Sequence, residues 1–177
     1  MDFDLILIGA GPAGLCLARA LRGSGLRLCL LEQQPRAALQ HPAFDGREIA
    51  LTQHSAQLLR GIGIWSRLGE ANIAPLKDAL VFDGGAGRGQ QRMVISHTLS
   101  PQPELGFLVA NHHIRRAAFE AAMAPADDTG EPPELRCGQQ VTHIHSDEHA
   151  AHIHLASDER LSAPLVVAAD SRHSSTR

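Results

Sequence analysis

The chain has 177 residues, a formal net charge of -3 and 20% charged residues, enough for one ordinary domain with a real core and too few for two of the usual size. No basic block argues for nucleic acid as a partner, and no apolar run approaches the roughly 20 residues that span a bilayer. No basic region precedes an apolar one at the N-terminus, so the sequence predicts neither a membrane span nor a secretory signal, and a cytoplasmic location. Cys16, Cys29 and Cys137 are odd in number and lack a C-x-x-C pair, which suits reduced core residues. Tyrosine is absent and aromatic content is 3%, so aromatic stacking on a ligand is a minor resource.

Leu5-Ile6-Leu7-Ile8 is a short unbroken apolar run, followed by Gly9-Ala10-Gly11-Pro12-Ala13-Gly14 and then Leu15, Leu17, Ala18 and Leu21 at helical spacing. That order predicts strand, turn and helix. The glycines at 9, 11 and 14 have the G-x-G-x-x-G spacing, and each position has its own reason to lack a side chain. Gly9 permits the sharp turn off the strand, Gly11 lets backbone approach a pyrophosphate, and Gly14 lets helix and sheet pack closely. The amides that open the helix, with Ala13 among them, point at the ligand, and the helix dipole favours its charge. Pro12 fits the first turn, where N–H groups are spare.

Gly23-Ser24-Gly25 closes the helix, residues 26–31 read as a second buried strand, and Glu32 stands at its carboxyl end. A dinucleotide fold places an acid there to hold ribose hydroxyls. With Glu32 in place and Gln33-Gln34 beside it, a 2'-phosphate would be repelled, so the site favours FAD or NAD over NADP.

Residues 34–46 carry Pro35 and Pro42 with no period and read as a loop leaving the sheet. An amphipathic helix begins near Thr52, a plausible N-cap, breaks at residues 61–63 and resumes briefly. Arg47, ahead of that helix, has two readings: a guanidinium that meets a diphosphate, or a surface arginine paired with Glu48 or Asp45. Residues 79–82 and 93–95 form a hairpin across a glycine-rich link; that link lacks the Lys-Ser/Thr ending of a phosphate loop. Residues 106–110 make a strand leading into a helix over 112–123. Asn111 at the junction either reaches a ligand lying across the sheet edge or caps the helix.

Residues 125–133 form a polar Pro/Gly loop expected to be the most mobile part of the chain. Residues 134–137, 140–146 and 151–156 read as strands of a β-meander carrying His143, His145, His152 and His154, with His149 in the turn. Period-2 alternation puts each H-x-H pair on one face. An exposed polar face explains them, with incidental nickel or zinc affinity, and no metal site is expected. Residues 165–169 form a buried strand ending in Asp170. Ligands of open parallel sheets bind outside the strands' carboxyl ends, so Asp170 shares an edge with Gly9 and Glu32 and accepts from a ribitol hydroxyl, or else caps a helix.

Taken together these pieces resemble the N-terminal half of the group A flavoprotein monooxygenases, the family of para-hydroxybenzoate hydroxylase, and within it the aerobic ubiquinone-biosynthesis hydroxylases of the UbiH and UbiM type. The likeness covers the whole chain. It rests on Ile8 through Gly14 with Glu32, on Asp45-Gly46-Arg47-Glu48-Ile49-Ala50-Leu51-Thr52 with Gly61-Ile62-Gly63-Ile64-Trp65, on the strand ending at Asn111, and on Ala168-Ala169-Asp170-Ser171. Ser171 departs from the glycine most members carry, which weakens any nicotinamide role of that motif.

The resemblance implies an α/β fold: a Rossmann-like FAD-binding domain over 1–177 with a βαβ start, a central parallel sheet and a β-meander insertion. Strands within 75–110 would begin a substrate-side sheet. The family's third FAD motif is absent, so the chain reads as an N-terminal portion whose C-terminal half is missing. The implied activity is FAD-dependent hydroxylation of an aromatic ubiquinone precursor, with NAD(P)H as reductant and a flavin C4a-hydroperoxide as oxidant. Gly9, Gly11, Pro12, Ala13 and Gly14 would hold the diphosphate, Glu32 the ribose, Arg47 the diphosphate or ribityl chain, and Asn111 and Asp170 the cofactor's middle. No side chain reads as a catalytic base. The implied partners are a small aromatic or quinone-precursor substrate and, at the membrane periphery, the membrane or other ubiquinone-pathway enzymes. Two rivals are a flavin-binding piece without catalysis and a reductase of the geranylgeranyl reductase type.

Overall fold

The computed structural model describes residues 1–82, 92–99, 101–126 and 130–170. In chain order the elements are β1 (Leu5–Ile8), α1 (Pro12–Ala20), β2 (Leu28–Glu32), α2 (Arg36–Gln40), β3 (Glu48–Thr52), α3 (Gln53–Gly61), β4 (Ile73–Leu76), β5 (Asp78–Phe82), β6 (Arg92–Ser96), β7 (Gly106–Ala110), α4 (Asn111–Ala122), β8 (Glu134–Cys137), β9 (Val141–Ser146), β10 (Ala151–Leu155), β11 (Arg160–Ala163) and β12 (Leu165–Ala168). Single 3-10 turns at Trp65–Arg67, Glu70–Asn72 and His97–Leu99 complete them.

Four parallel strands in the order β12-β1-β2-β8 form the central sheet. Every residue of β1 and β2 is buried, and alternate side chains enter two separate cores. Leu5, Leu7, Leu28 and Leu30 pack with Leu15 and Ala18 of α1 and Ile114, Ala117 and Ala118 of α4. Ile6, Ile8, Cys29 and Leu31 meet Val141, Ile153, Leu155 and Leu161 on the opposite side. Strands covered on both faces need apolar residues at every position, which is why these runs are unbroken in sequence. The layers are therefore helices, parallel sheet, and the antiparallel meander β9-β10-β11.

A second sheet, β3-β7-β4, is antiparallel throughout. Helix α3 packs on it, and Thr52 caps that helix by accepting from the Ser55 amide at 3.1 Å. Hairpin β5-β6 stands as a separate two-stranded ribbon. It exposes Leu80 and Phe82 on one face and Val81 and Met93 on the other. No helix among the described residues is long and apolar enough to cross a membrane.

Several expectations need correction. Residues 34–46 are not wholly loop, because Arg36–Gln40 form α2, with Leu39 buried. Residues 48–52 are a strand whose alternating Ile49 and Leu51 turn inward, so Arg47 precedes a strand rather than a helix. β4 contains Pro75, tolerated because β4 lies at a sheet edge. β8 belongs to the parallel sheet beside β2, not to the meander, whose third strand is the short β11.

Helix α4 begins at Asn111 itself, and its cap position is Ala110. The glycine-rich link at 83–91 and Ser171 lie outside the described residues, as do 127–129 of the polar loop. The flanks of that loop are held by the buried Arg22, which donates to the carbonyls of Ala121 at 3.3 Å, Pro125 at 3.0 Å and Gly130.

Candidate functional site

The order β12-β1-β2 puts the chain's reversal of strand order at β1, and a crevice opens at the carboxyl ends there, as open α/β sheets provide. Its volume is about 750 Å³. The lining comes from Gly9, Ala10, Gly11, Pro12 and Ala13 after β1, Glu32, Gln33 and Gln34 after β2, and Ala169 and Asp170 after β12. Arg47, Asn111, Arg115, Gln139 and Gln140 close the other sides.

The three glycines differ in what demands them. Gly9 has φ +98°, and a Cβ there would stand 2.8 Å from the Ala169 carbonyl oxygen and 2.9 Å from the Asp170 Cα. The first turn and the end of β12 are thus in backbone contact, which fixes Asp170 beside the crevice. A Cβ on Gly14 would overlap the Gly9 carbonyl oxygen, so this residue sits behind the crevice and lets α1 close onto the loop. Gly11 is different: its φ of -73° and ψ of 179° suit any residue, and a Cβ would meet no described atom within 4 Å. Among the described residues, packing does not require glycine at 11. The missing side chain leaves crevice volume for a ligand.

Glu32 is 9% exposed and bolts the turn together. Its Oε2 accepts from the Ala10 amide at 2.7 Å and its Oε1 from the Gln34 amide at 2.8 Å. Each carboxylate oxygen retains a second lone pair for a hydroxyl donor.

On the facing wall, Asp45 Oδ2 accepts from Arg47 Nε at 2.9 Å, Arg47 Nη2 at 2.6 Å and Asn111 Nδ2 at 2.7 Å. The guanidinium of Arg47, followed by the amide of Asn111, holds the Asp45 carboxyl well below the usual carboxylate range. The Asn111 backbone N–H donates to the Arg47 carbonyl at 2.9 Å, so two residues distant in sequence are held together both by this bond and by their shared acceptor Asp45. Arg47 is exposed and paired with Asp45, as the second of its two readings has it, and it also lines the crevice. Asn111 does not cap its helix; its side chain is spent on Asp45.

Of the sequence candidates, Gly9, Gly11, Pro12, Ala13, Glu32, Arg47, Asn111 and Asp170 all line this one crevice, and Gly14 supports it. Sequence reasoning missed Arg115, although it lies four residues after Asn111 and therefore on the same helix face. Arg115 Nη2 donates to Gln34 Oε1 at 3.3 Å, a bridge across the crevice mouth. It also gave Asp45 only as one choice of partner for Arg47. Cys29 is buried and Cys16 and Cys137 are half-buried against the core; burial pushes the Cys16 thiol up to about 11 and the Cys29 thiol up to about 12.

The fit to an adenine dinucleotide is direct. Among the described residues no side chain caps α1 at Gly11, which leaves its first-turn amides for the crevice where a diphosphate would lie. An acid stands at the end of β2, and two guanidinium groups stand on the opposite wall. Fold and site together define an adenine-dinucleotide-binding α/β domain.

The family profile described as FAD binding domain matches residues 2–177, and the chain belongs to that family. It is 38% identical over 178 residues to the ubiquinone hydroxylase UbiM of Neisseria meningitidis, covering 98% of this chain and 37% of that protein. It is 28% identical over 175 residues to the ubiquinone hydroxylase UbiL of Rhodospirillum rubrum, covering 98% and 38%. The chain thus spans well under half the length of these relatives. Among solved structures, the OxyS anhydrotetracycline hydroxylase from Streptomyces rimosus shares the fold, with a TM-score of 0.71, 21% identity, and coverage of 99% of this chain and 33% of the other.

Proposed function

We propose that this chain is the FAD-holding portion of an NAD(P)H-dependent aromatic-ring hydroxylase that acts on a polyprenylated ubiquinone precursor. The observation that carries the ligand is Gly11, a residue without a side chain where neither its own conformation nor its described neighbours require that. Similarity to two ubiquinone hydroxylases supports the reaction and the substrate class. When bound, FAD would supply the redox chemistry that passes electrons from NAD(P)H to O2 for insertion into an electron-rich ring.

The chain's own residues bind and orient. Glu32 accepts from the adenosine ribose, the amides of the first turn of α1 receive the diphosphate, and Arg47 faces the diphosphate or the ribityl chain. Asn111 and Asp170 flank the cofactor's middle. No residue of this chain is assigned a proton-transfer role. Strands β4 to β7 would begin the substrate-side sheet, and a membrane-peripheral location beside other ubiquinone-pathway enzymes suits so apolar a substrate.

Titration of the full chain with FAD, read by flavin fluorescence, is expected to give saturable one-to-one binding. Gly11→Val is expected to keep the circular dichroism spectrum and melting temperature while weakening binding at least tenfold. A valine variant that binds FAD like the parent would overturn the ligand assignment. For the reaction, the gene encoding this chain is expected to restore ring hydroxylation in a bacterium deficient in ubiquinone hydroxylases. Accumulation of a hydrogenated prenyl chain with no hydroxylated ring would favour a reductase instead. The 37% coverage of UbiM favours a second reading for these residues in isolation, flavin binding without turnover. NAD(P)H oxidation by the chain alone would exclude it.

A further inference from the structure

The outer face of the meander carries four imidazoles that the FAD reading does not use. Strands β9 and β10 pair so that His145 lies opposite His152 and His143 opposite His154. The two H-x-H pairs therefore form a square on one face. Ile153, between His152 and His154, is fully buried against the parallel sheet and marks the other face.

Ring centroids are 4.8 Å apart for His145–His152, 5.6 Å for His145–His154, 5.9 Å for His143–His154 and 6.0 Å for His143–His145. With Zn–N bonds of about 2.0–2.1 Å, four tetrahedral imidazoles would have centroids roughly 5 Å apart. The strand register brings the ring of His145 within 4.8–6.0 Å of the other three, centroid to centroid.

Two surroundings bear on a cation. Asp147 Oδ2 lies 2.9 Å from His152 Nε2, the carboxylate–imidazole pairing that fixes a metal-binding ring and leaves its other nitrogen to coordinate. Arg160, opposite His154 on β11, opposes a dication at that corner. As the rings stand, several stack, at 17° for His145–His152 and 20° for His143–His145. Among the described residues no three His, Cys, Asp or Glu groups form a ready-made cage. His143 and His145 are exposed and free to rotate about their side-chain bonds without moving the strands.

We propose that His143, His145, His152 and His154 form a surface site for one divalent transition metal of the Zn2+ class, centred on His145. The site closes by ring rotation on a backbone frame that is already in register.

The test uses the full chain without a polyhistidine tag, titrated calorimetrically with ZnCl2 at neutral pH and, in parallel, with Co2+ read by its visible spectrum. One Zn2+ per chain is expected, with the intense visible bands of four-coordinate Co2+. Affinity should fall as the solution is acidified, because only an unprotonated imidazole nitrogen coordinates. His145→Ala is expected to weaken binding at least tenfold, and His149→Ala, in the turn outside the square, to leave it unchanged. Arg160→Gln should tighten it. Absence of binding, weak non-stoichiometric uptake, or an affinity indifferent to His145→Ala would each overturn the site. Circular dichroism of each variant separates loss of metal from loss of fold.

Discussion

Glu32 gives the sharpest prediction, because its carboxylate serves the protein before it serves any ligand. Replacement by alanine removes the acceptors of the Ala10 and Gln34 amides. Ala10 is 1% exposed, and an amide left there without its acceptor costs about 1–3 kcal/mol. Gln34 is exposed and water satisfies its amide, which limits that loss to about 1 kcal/mol.

The sum is about 2–4 kcal/mol, or roughly 4–16 °C in Tm for a chain of this size. Gln in place of Glu32 retains one carbonyl oxygen for one amide and turns its NH2 group toward the other donor, so Glu32→Gln should melt between parent and alanine variant. The assay is thermal unfolding by circular dichroism in the absence of FAD, followed by FAD titration of each variant below its Tm. FAD affinity should fall about 10- to 150-fold in Glu32→Ala, the worth of a hydrogen bond to a charged acceptor. An alanine variant that melts within about 2 °C of the parent would refute the reasoning, since even one orphaned amide should exceed that.

Gly14→Ala should fail more severely than Gly11→Val although its added group is smaller. Its Cβ meets the Gly9 backbone carbonyl, which cannot move without opening the turn; low soluble yield or a Tm well below that of Gly11→Val is the expected result, and equal stabilities would contradict it. The Asp45–Arg47–Asn111 arrangement has a defined pH response. Asp45 has its folded-state pKa depressed from 3.8 by Arg47 and Asn111, so whatever stability it lends is present above pH 3.8 and disappears as pH falls through the lower folded value. Carboxyl chemical shifts followed by NMR should show Asp45 still ionised at pH 3.8, and a midpoint at or above that pH would count against the arrangement.

Legibility in the sequence followed burial and distance. β1 and β2 were readable because both of their faces are covered, so every residue is apolar. The acid at 32 was readable because a fixed connection separates it from the glycine turn, and Thr52 because a cap is a local event three residues long. The misses are equally physical. α2 has five residues and too little length to show a period. β3 is half exposed, and only Ile49 and Leu51 of its five residues turn inward, too few to show a period just ahead of a helix cap. β8 has the same local appearance as a meander strand, and only its pairing with β2, about a hundred residues earlier in the chain, assigns it to the parallel sheet. The role of Asp45 depends on Asn111, 66 residues later. Nothing near Asp45 in the chain announces that contact.

The β5-β6 ribbon has a consequence for how the molecule behaves in bulk. Leu80, Val81, Phe82, Met93 and Val94 are each between 47% and 57% exposed, and a lone two-stranded hairpin is marginal in water. Exposed apolar surface of this kind favours self-association in concentrated solution, and none of it lines the nucleotide crevice. Polar replacements such as Val81→Thr and Met93→Lys would raise solubility and leave the cofactor chemistry of the domain untouched.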